Sequence, residues 1–134
     1  MEPIIAPVSV EILKSELTHA KKLRDTNKSH NEIYVVTYHD SPNVMREIGR
    51  LREEAFRDSG GGSGLAMDID EFDTMENPYH QLIVWDPDAE KILGGYRYIF
   101  GNDIKIGPDG QPLLATAHML KKKKKFIKEY LPYT

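Results

Sequence analysis

Four of the six residues from 68 to 73 are acidic: Asp68, Asp70, Glu71 and Asp73. Carboxylates at that density can bind a hard cation, act as a general acid and base, or hold an arginine. The calcium reading fails on pattern. Counted from Asp68, the sixth position is Asp73 where a calcium loop needs glycine, and the twelfth is Tyr79 where it needs glutamate. A paired-carboxylate hydrolase needs two carboxyls at a set separation, and nothing in the sequence fixes one. Arg97, two residues after the Gly94–Gly95 pair, is a cation these acids can reach. Such a pair is either a lock between loop and sheet or part of a site that uses the locked loop, and residue types alone leave both open.

Other chemistries are excluded more firmly. The chain has no cysteine, which removes disulfides, thiolate metal sites and a thiol nucleophile. Its five histidines, at 19, 30, 39, 80 and 118, include no pair four residues apart on which a zinc site could be built. There is no G-x-S-x-G turn, and the glycines from 60 to 64 are not followed by the Lys-Ser/Thr of a phosphate-binding loop.

The elements that must position these side chains follow from periodicity. After Pro7, Leu13, Leu17 and Ala20 share one stripe, which predicts a helix running as far as the polar residues 27–31. Residues 32–39, EIYVVTYH, are β-branched and aromatic on both faces and predict a central strand. The strongest helix signal begins at Pro42 after Asp40 or Ser41 as cap, with Val44, Ile48, Leu51 and Ala55 in line and Met45 and Phe56 beside them. The glycines from 60 to 64 end it and open a loop carrying the acids. HQLIVWD and KILGGYRYIF predict a hairpin across DPDAE, and Gly94 and Gly95 inside its second strand predict a bulge or a close approach by another backbone or a ligand. A turn at residues 107–110 and a basic helix ending before Pro132 complete the pattern. The whole predicts one α/β domain over residues 1–134.

The formal net charge of −3 argues against a general nucleic-acid binder. Five consecutive lysines, Lys121 to Lys125, form a solvated surface or a patch for an acidic partner. The start, MEPIIAPVSVEILKSE, lacks the basic and apolar regions of a secretory signal, and no apolar run approaches the roughly 18 residues of a membrane span. The expected compartment is the cytoplasm.

The ordered set LREEAF, DIDEFD and a hairpin ending GGYR resembles the N-terminal part of the GNAT-like N-acyltransferases, which include the acyl-homoserine lactone synthases and the ornithine- or glycine-lipid acyltransferases, often labelled hemolysin-like. The likeness runs from about residue 31 to residue 134, through ENPYHQLIVWDP and FIKEYLPYT. It implies a GNAT-like mixed sheet flanked by helices, with its C-terminal, donor-binding half lacking from this chain. It implies transfer of a fatty acyl group from acyl carrier protein or acyl-CoA, as donor substrate rather than bound cofactor, to the amine of a small amino acid in aminolipid synthesis. The family's site residues fall on Arg52 and Phe56 for the acceptor pocket, on Asp70 and Asp73 as holders or deprotonators of the amine, and on Arg97 as their orienter or the acceptor's carboxylate ligand. Contact with the inner membrane and homo-oligomerisation are compatible with it. A pore-forming role has no long amphipathic or spanning segment to support it. The competing class is a non-catalytic module that binds an acyl carrier protein or a partner subunit, which an unpaired sheet edge would favour.

Overall fold

The computed structural model describes residues 1–27, 29–101, 108 and 110. Residues 107 and 109 of the expected turn, the C-terminal helix and the lysines at 121–125 lie outside the described residues. The fold is mixed α/β. Its elements run α1 (Val10–Glu16), a 3-10 turn (His19–Lys21), β1 (Lys22–Asp25), β2 (Glu32–Val36), α2 (Pro42–Asp58), α3 (Glu71–Thr74), β3 (His80–Asp86) and β4 (Lys91–Tyr98). The strands form one antiparallel sheet in the order β1-β2-β3-β4.

The first helix is shorter than its pattern predicts. Leu13 and Leu17 are buried, but Ala20 is exposed and Leu23 is 59% exposed, so a longer helix would bury nothing further. Pairing with β2 wins instead, and residues 22–25 become the outer strand β1. Lys21 closes the break by donating its ammonium to the Glu16 and Asp40 carbonyls and the Ser41 hydroxyl.

The second helix begins at Pro42 as expected, with Ser41 as N-cap, yet the Ser41 side chain does not cap it. Glu16 does so from α1: its carboxylate accepts from the Val44 N–H at 2.7 Å and from the Asn43 N–H and side-chain amide. This places a negative charge at the positive end of α2 and ties the two helices together. At the other end Gly60, at φ 87, lets the chain reverse, with the Gly61 N–H returning to the Phe56 carbonyl and the Gly60 N–H to that of Arg57.

The core joins Leu13 and Leu17, Val44, Met45 and Ile48 of α2, and Tyr34, Val36, Ile83, Trp85 and Ile92 of the sheet. Val36 pairs with Gln81 and Gln81 with Arg97, so those three share the face of the sheet that carries the buried side chains. The predicted C-terminal part of the α2 stripe departs from this. Leu51 still packs half-buried against the core, but Ala55 is exposed and Glu53 is fully buried.

Both expectations for the paired glycines are met. The β3–β4 register shifts between Val84 and Trp85, leaving Leu93 extra beside Gly94. Gly95 lies so close to the Leu82 carbonyl that a Cβ there would collide with it.

Candidate functional site

The acidic stretch is more ordered than a loop. Asp70 is the N-cap of α3: its carboxylate accepts from the Phe72 and Asp73 N–H groups, while Asp73 returns the bond by accepting from the Asp70 N–H at 3.0 Å. This reciprocal capping box needs a side-chain acceptor at each of its two positions, and here both are aspartate carboxylates. It turns Asp73 inward, where its side chain is fully buried.

Asp73 is the hub of a network drawn from four elements. Its Oδ2 accepts from Arg52 Nη1 of α2 at 3.0 Å and from the Asp70 amide, and its Oδ1 accepts from Gln81 Nε2 of β3 at 2.9 Å and from Arg97 Nη1 of β4 at 3.1 Å. Four donors fill the lone-pair sites of one carboxylate. Arg52 also donates through Nη2 to Gln81 Oε1 at 2.6 Å, so a single guanidinium spans the carboxylate and the amide. A buried charge without such partners would be costly, and no buried side-chain polar atom among the described residues is left unsatisfied.

Arg97 reaches the outer edge of the network. Its Nη1 also donates to Asp70 Oδ1 at 2.8 Å, and its guanidinium lies 5.3 Å from the centre of the Tyr79 ring. Its side chain is 25% exposed, and its Nε and Nη2 make no hydrogen bond among the described residues. Burial works against its charge, but the bond to Asp70 and the charges of both aspartates outweigh burial and raise its pKa. For Asp70 burial, the largest influence, pushes the carboxyl up; the Arg97 bond and charge and the two capping amides prevail, and the net shift is downward.

Arg52, Asp70, Asp73 and Arg97 are thus brought together. Phe56 is not: it sits outside the network, 49% exposed on α2. Gln81 belongs to the network and sequence reasoning missed it. Its signal was a polar residue in phase with Ile83 and Trp85 on a strand whose alternate positions are buried.

A second ionic group organises the glycine loop. The buried Glu53 carboxylate accepts from Ser63 N and Oγ, from Gly64 N and from Arg57 Nε. The Ser63 hydroxyl bond is the largest influence on it; burial opposes, the other donors add to it, and the pKa falls to about 2. Further along, Met67 and Ile69 close on Gly49 of α2, and the Asp68 N–H donates to the Gly49 carbonyl at 3.0 Å.

Among the described residues, no group of three or more histidine, aspartate or glutamate side chains could hold a metal ion, and no helix is long and apolar enough to cross a membrane. An open groove of about 420 Å³ lies at the β1–β2 connection and shares no residue with the network, so its size is no guide to chemistry here.

Residues 51–129 match the family described as the acetyltransferase (GNAT) domain. Two curated proteins named glycine N(alpha)-acyltransferase align with the whole chain: that of Phocaeicola vulgatus at 68% identity, and that of Bacteroides thetaiotaomicron at 64%. The chain spans 41% and 40% of their respective lengths. No solved structure matches.

Proposed function

The chain belongs to the acetyltransferase (GNAT) domain family, and from that premise we propose that it forms the acceptor-binding part of an N-acyltransferase that moves a fatty acyl group to the amine of glycine. The observation that carries this reading is Arg97, a guanidinium fixed by two aspartates at one nitrogen while its remaining donors stay unengaged among the described residues, on a partly exposed side chain. Glycine offers one carboxylate and one amine, and a pre-positioned guanidinium fork suits the carboxylate. Asp73, with no lone-pair site left, does not take the amine's proton; with Arg52 and Gln81 it holds Arg97 in place. Phe56 offers apolar surface one turn along α2 from Arg52. The donor is a thioester of acyl carrier protein or coenzyme A, and the product is an N-acylated amino acid for aminolipid synthesis.

The names of the aligned relatives support the substrate class, and the capping box and arginine pair support an oriented site. The test uses the full-length protein, measuring thiol release from an acyl carrier protein loaded with a long acyl chain while glycine or ornithine is offered. Acceptor-dependent release that falls about 10- to 100-fold in kcat/KM with Arg97→Ala, the effect of losing a charged hydrogen bond, supports the reading. A folded protein that releases no thiol refutes it and favours an interaction module. One observation already leans that way: β4 is one of the two edge strands among the described residues, with Leu93 and Tyr96 exposed on it.

A further inference from the structure

N-acylation requires a proton to leave the attacking amine, so some group must accept it, and three nearby aspartates differ in their capacity to do so. Asp73 has two donors on each oxygen. Asp70 has three donors on Oδ1, from Arg97 and from the Phe72 and Asp73 amides, which favour its ionised form. Asp68 differs from both: among the described residues its carboxylate accepts no hydrogen bond and makes no ion pair, and only its backbone is engaged.

The placement of Asp68 follows from its neighbours. Met67 and Ile69 both approach Gly49 of α2, so their side chains face the helix. Asp68 stands between these two residues, and its carboxyl feels the charges of Arg52, Asp70 and Asp73, which keeps it within reach of the network. Arg52 Nη1 lies 3.5 Å from the Asp68 carbonyl, which keeps this turn of chain against the network.

We propose that the Asp68 carboxylate accepts the proton of the incoming amine, an assignment that rests on the acyl-transfer reading above. As the amine nitrogen bonds to the thioester carbonyl carbon, one N–H proton passes to Asp68. The tetrahedral centre then collapses with cleavage of the C–S bond, and the thiolate leaves and takes that proton, so that amine and thioester become amide and thiol with no other reactant. The electrostatic surroundings agree. Burial raises the Asp68 carboxyl's pKa; Arg52 opposes, and the charges of Asp70, Glu53 and Asp73 add to the rise. A carboxylate with a raised pKa is the better base of the three.

The experiment is the pH profile of kcat for glycine acylation by the full-length protein, for wild type, Asp68→Asn and Asp68→Glu, with folding checked by circular dichroism and thermal melting. The expected result is a wild-type rate that falls on the acid side, and an Asp68→Asn variant about 100-fold slower in kcat, with acceptor KM little changed and the acid limb lost. Asp68→Glu, which keeps the carboxylate, recovers most of that loss. An Asp68→Asn variant that keeps wild-type kcat and its acid limb overturns the assignment and leaves the acyl-transfer reading intact. So does an Asp68→Glu variant as inactive as Asp68→Asn while both melt with wild type, because shape rather than proton affinity then decides. A wild-type protein that acylates no amine overturns both readings together.

Discussion

Glu53 and Asp73 are both fully buried carboxylates, and each accepts from four donors, two on each oxygen. Their donors differ in origin. Those of Glu53 lie within 11 residues along the chain, in α2 itself and in the glycine loop that follows it. Those of Asp73 include arginines 21 and 24 residues away, and they fasten α2, β3 and β4 to the capping box of α3. The Glu53 cage contains one guanidinium, with two of its three nitrogens engaged: Nε with Glu53, and Nη2 with the Glu2 and Leu65 carbonyls. The Asp73 cage holds two, and one of them, Arg97, has only Nη1 engaged among the described residues. Equal burial and equal satisfaction therefore say little about function. What separates a loop clasp from a candidate site is how much donor capacity remains to meet a ligand: among the described residues Arg97 has one nitrogen engaged and Arg57 two.

The sharpest way to break this contrast is to empty the non-local cage. Asp73→Ala leaves two guanidiniums and an amide facing one another without their anion, and removing one partner from a buried ionic network costs about 3–5 kcal/mol. Urea denaturation should show that loss of stability; a loss below about 1 kcal/mol would mean that water replaces the carboxylate and the hub is dispensable. The local cage should yield less. Gly62 adopts φ 104, and a Cβ there would stand 2.8 Å from Glu53 Oε2. Gly62→Ala is expected to cost about 1–2 kcal/mol in the same assay, from left-handed strain and a displaced carboxylate. The contrast would fail if Gly62→Ala, still folded, lowered acyl transfer by the full-length protein as much as Arg97→Ala does.

The two cages also differ in how far the sequence announces them. Helix α2 and the β3–β4 hairpin are legible because their apolar spacing is regular and glycine or a short acidic turn marks their ends. The Glu53–Arg57 pair is a four-residue helical spacing that any reading of the helix surface contains, although its burial does not follow from spacing. Resemblance and acidic density point to Arg52, Asp70, Asp73 and Arg97, but their convergence depends on which face of β3 turns inward. Leu82 and Val84 are as apolar as Ile83 and Trp85, so the sequence leaves that choice open and Gln81 unnoticed. Two departures have one cause. The N-terminal helix is shorter than its apolar stripe, and α2 starts after Ser41 as expected but takes its capping carboxylate from Glu16, because strand pairing by residues 22–25 and capping by Glu16 are contacts between distant segments that local propensity does not encode.

The smallest expected effect concerns acid rather than structure. Glu53 has a folded pKa of about 2 against an ordinary value of 4.5, so its bonds stabilise the fold fully above the ordinary value, and the contribution is lost as pH falls through about 2. Because the Ser63 hydroxyl is the largest cause of that depression, Ser63→Ala should raise the folded pKa and narrow the window over which acid removes stability. Thermal melts between pH 5 and pH 2 report this: the variant's Tm should differ most from wild type near pH 5 and converge with it at the acid end. A constant offset across that range would mean that Ser63 acts by packing alone, and that Glu53 holds the loop through its amide and Arg57 bonds without help from the hydroxyl.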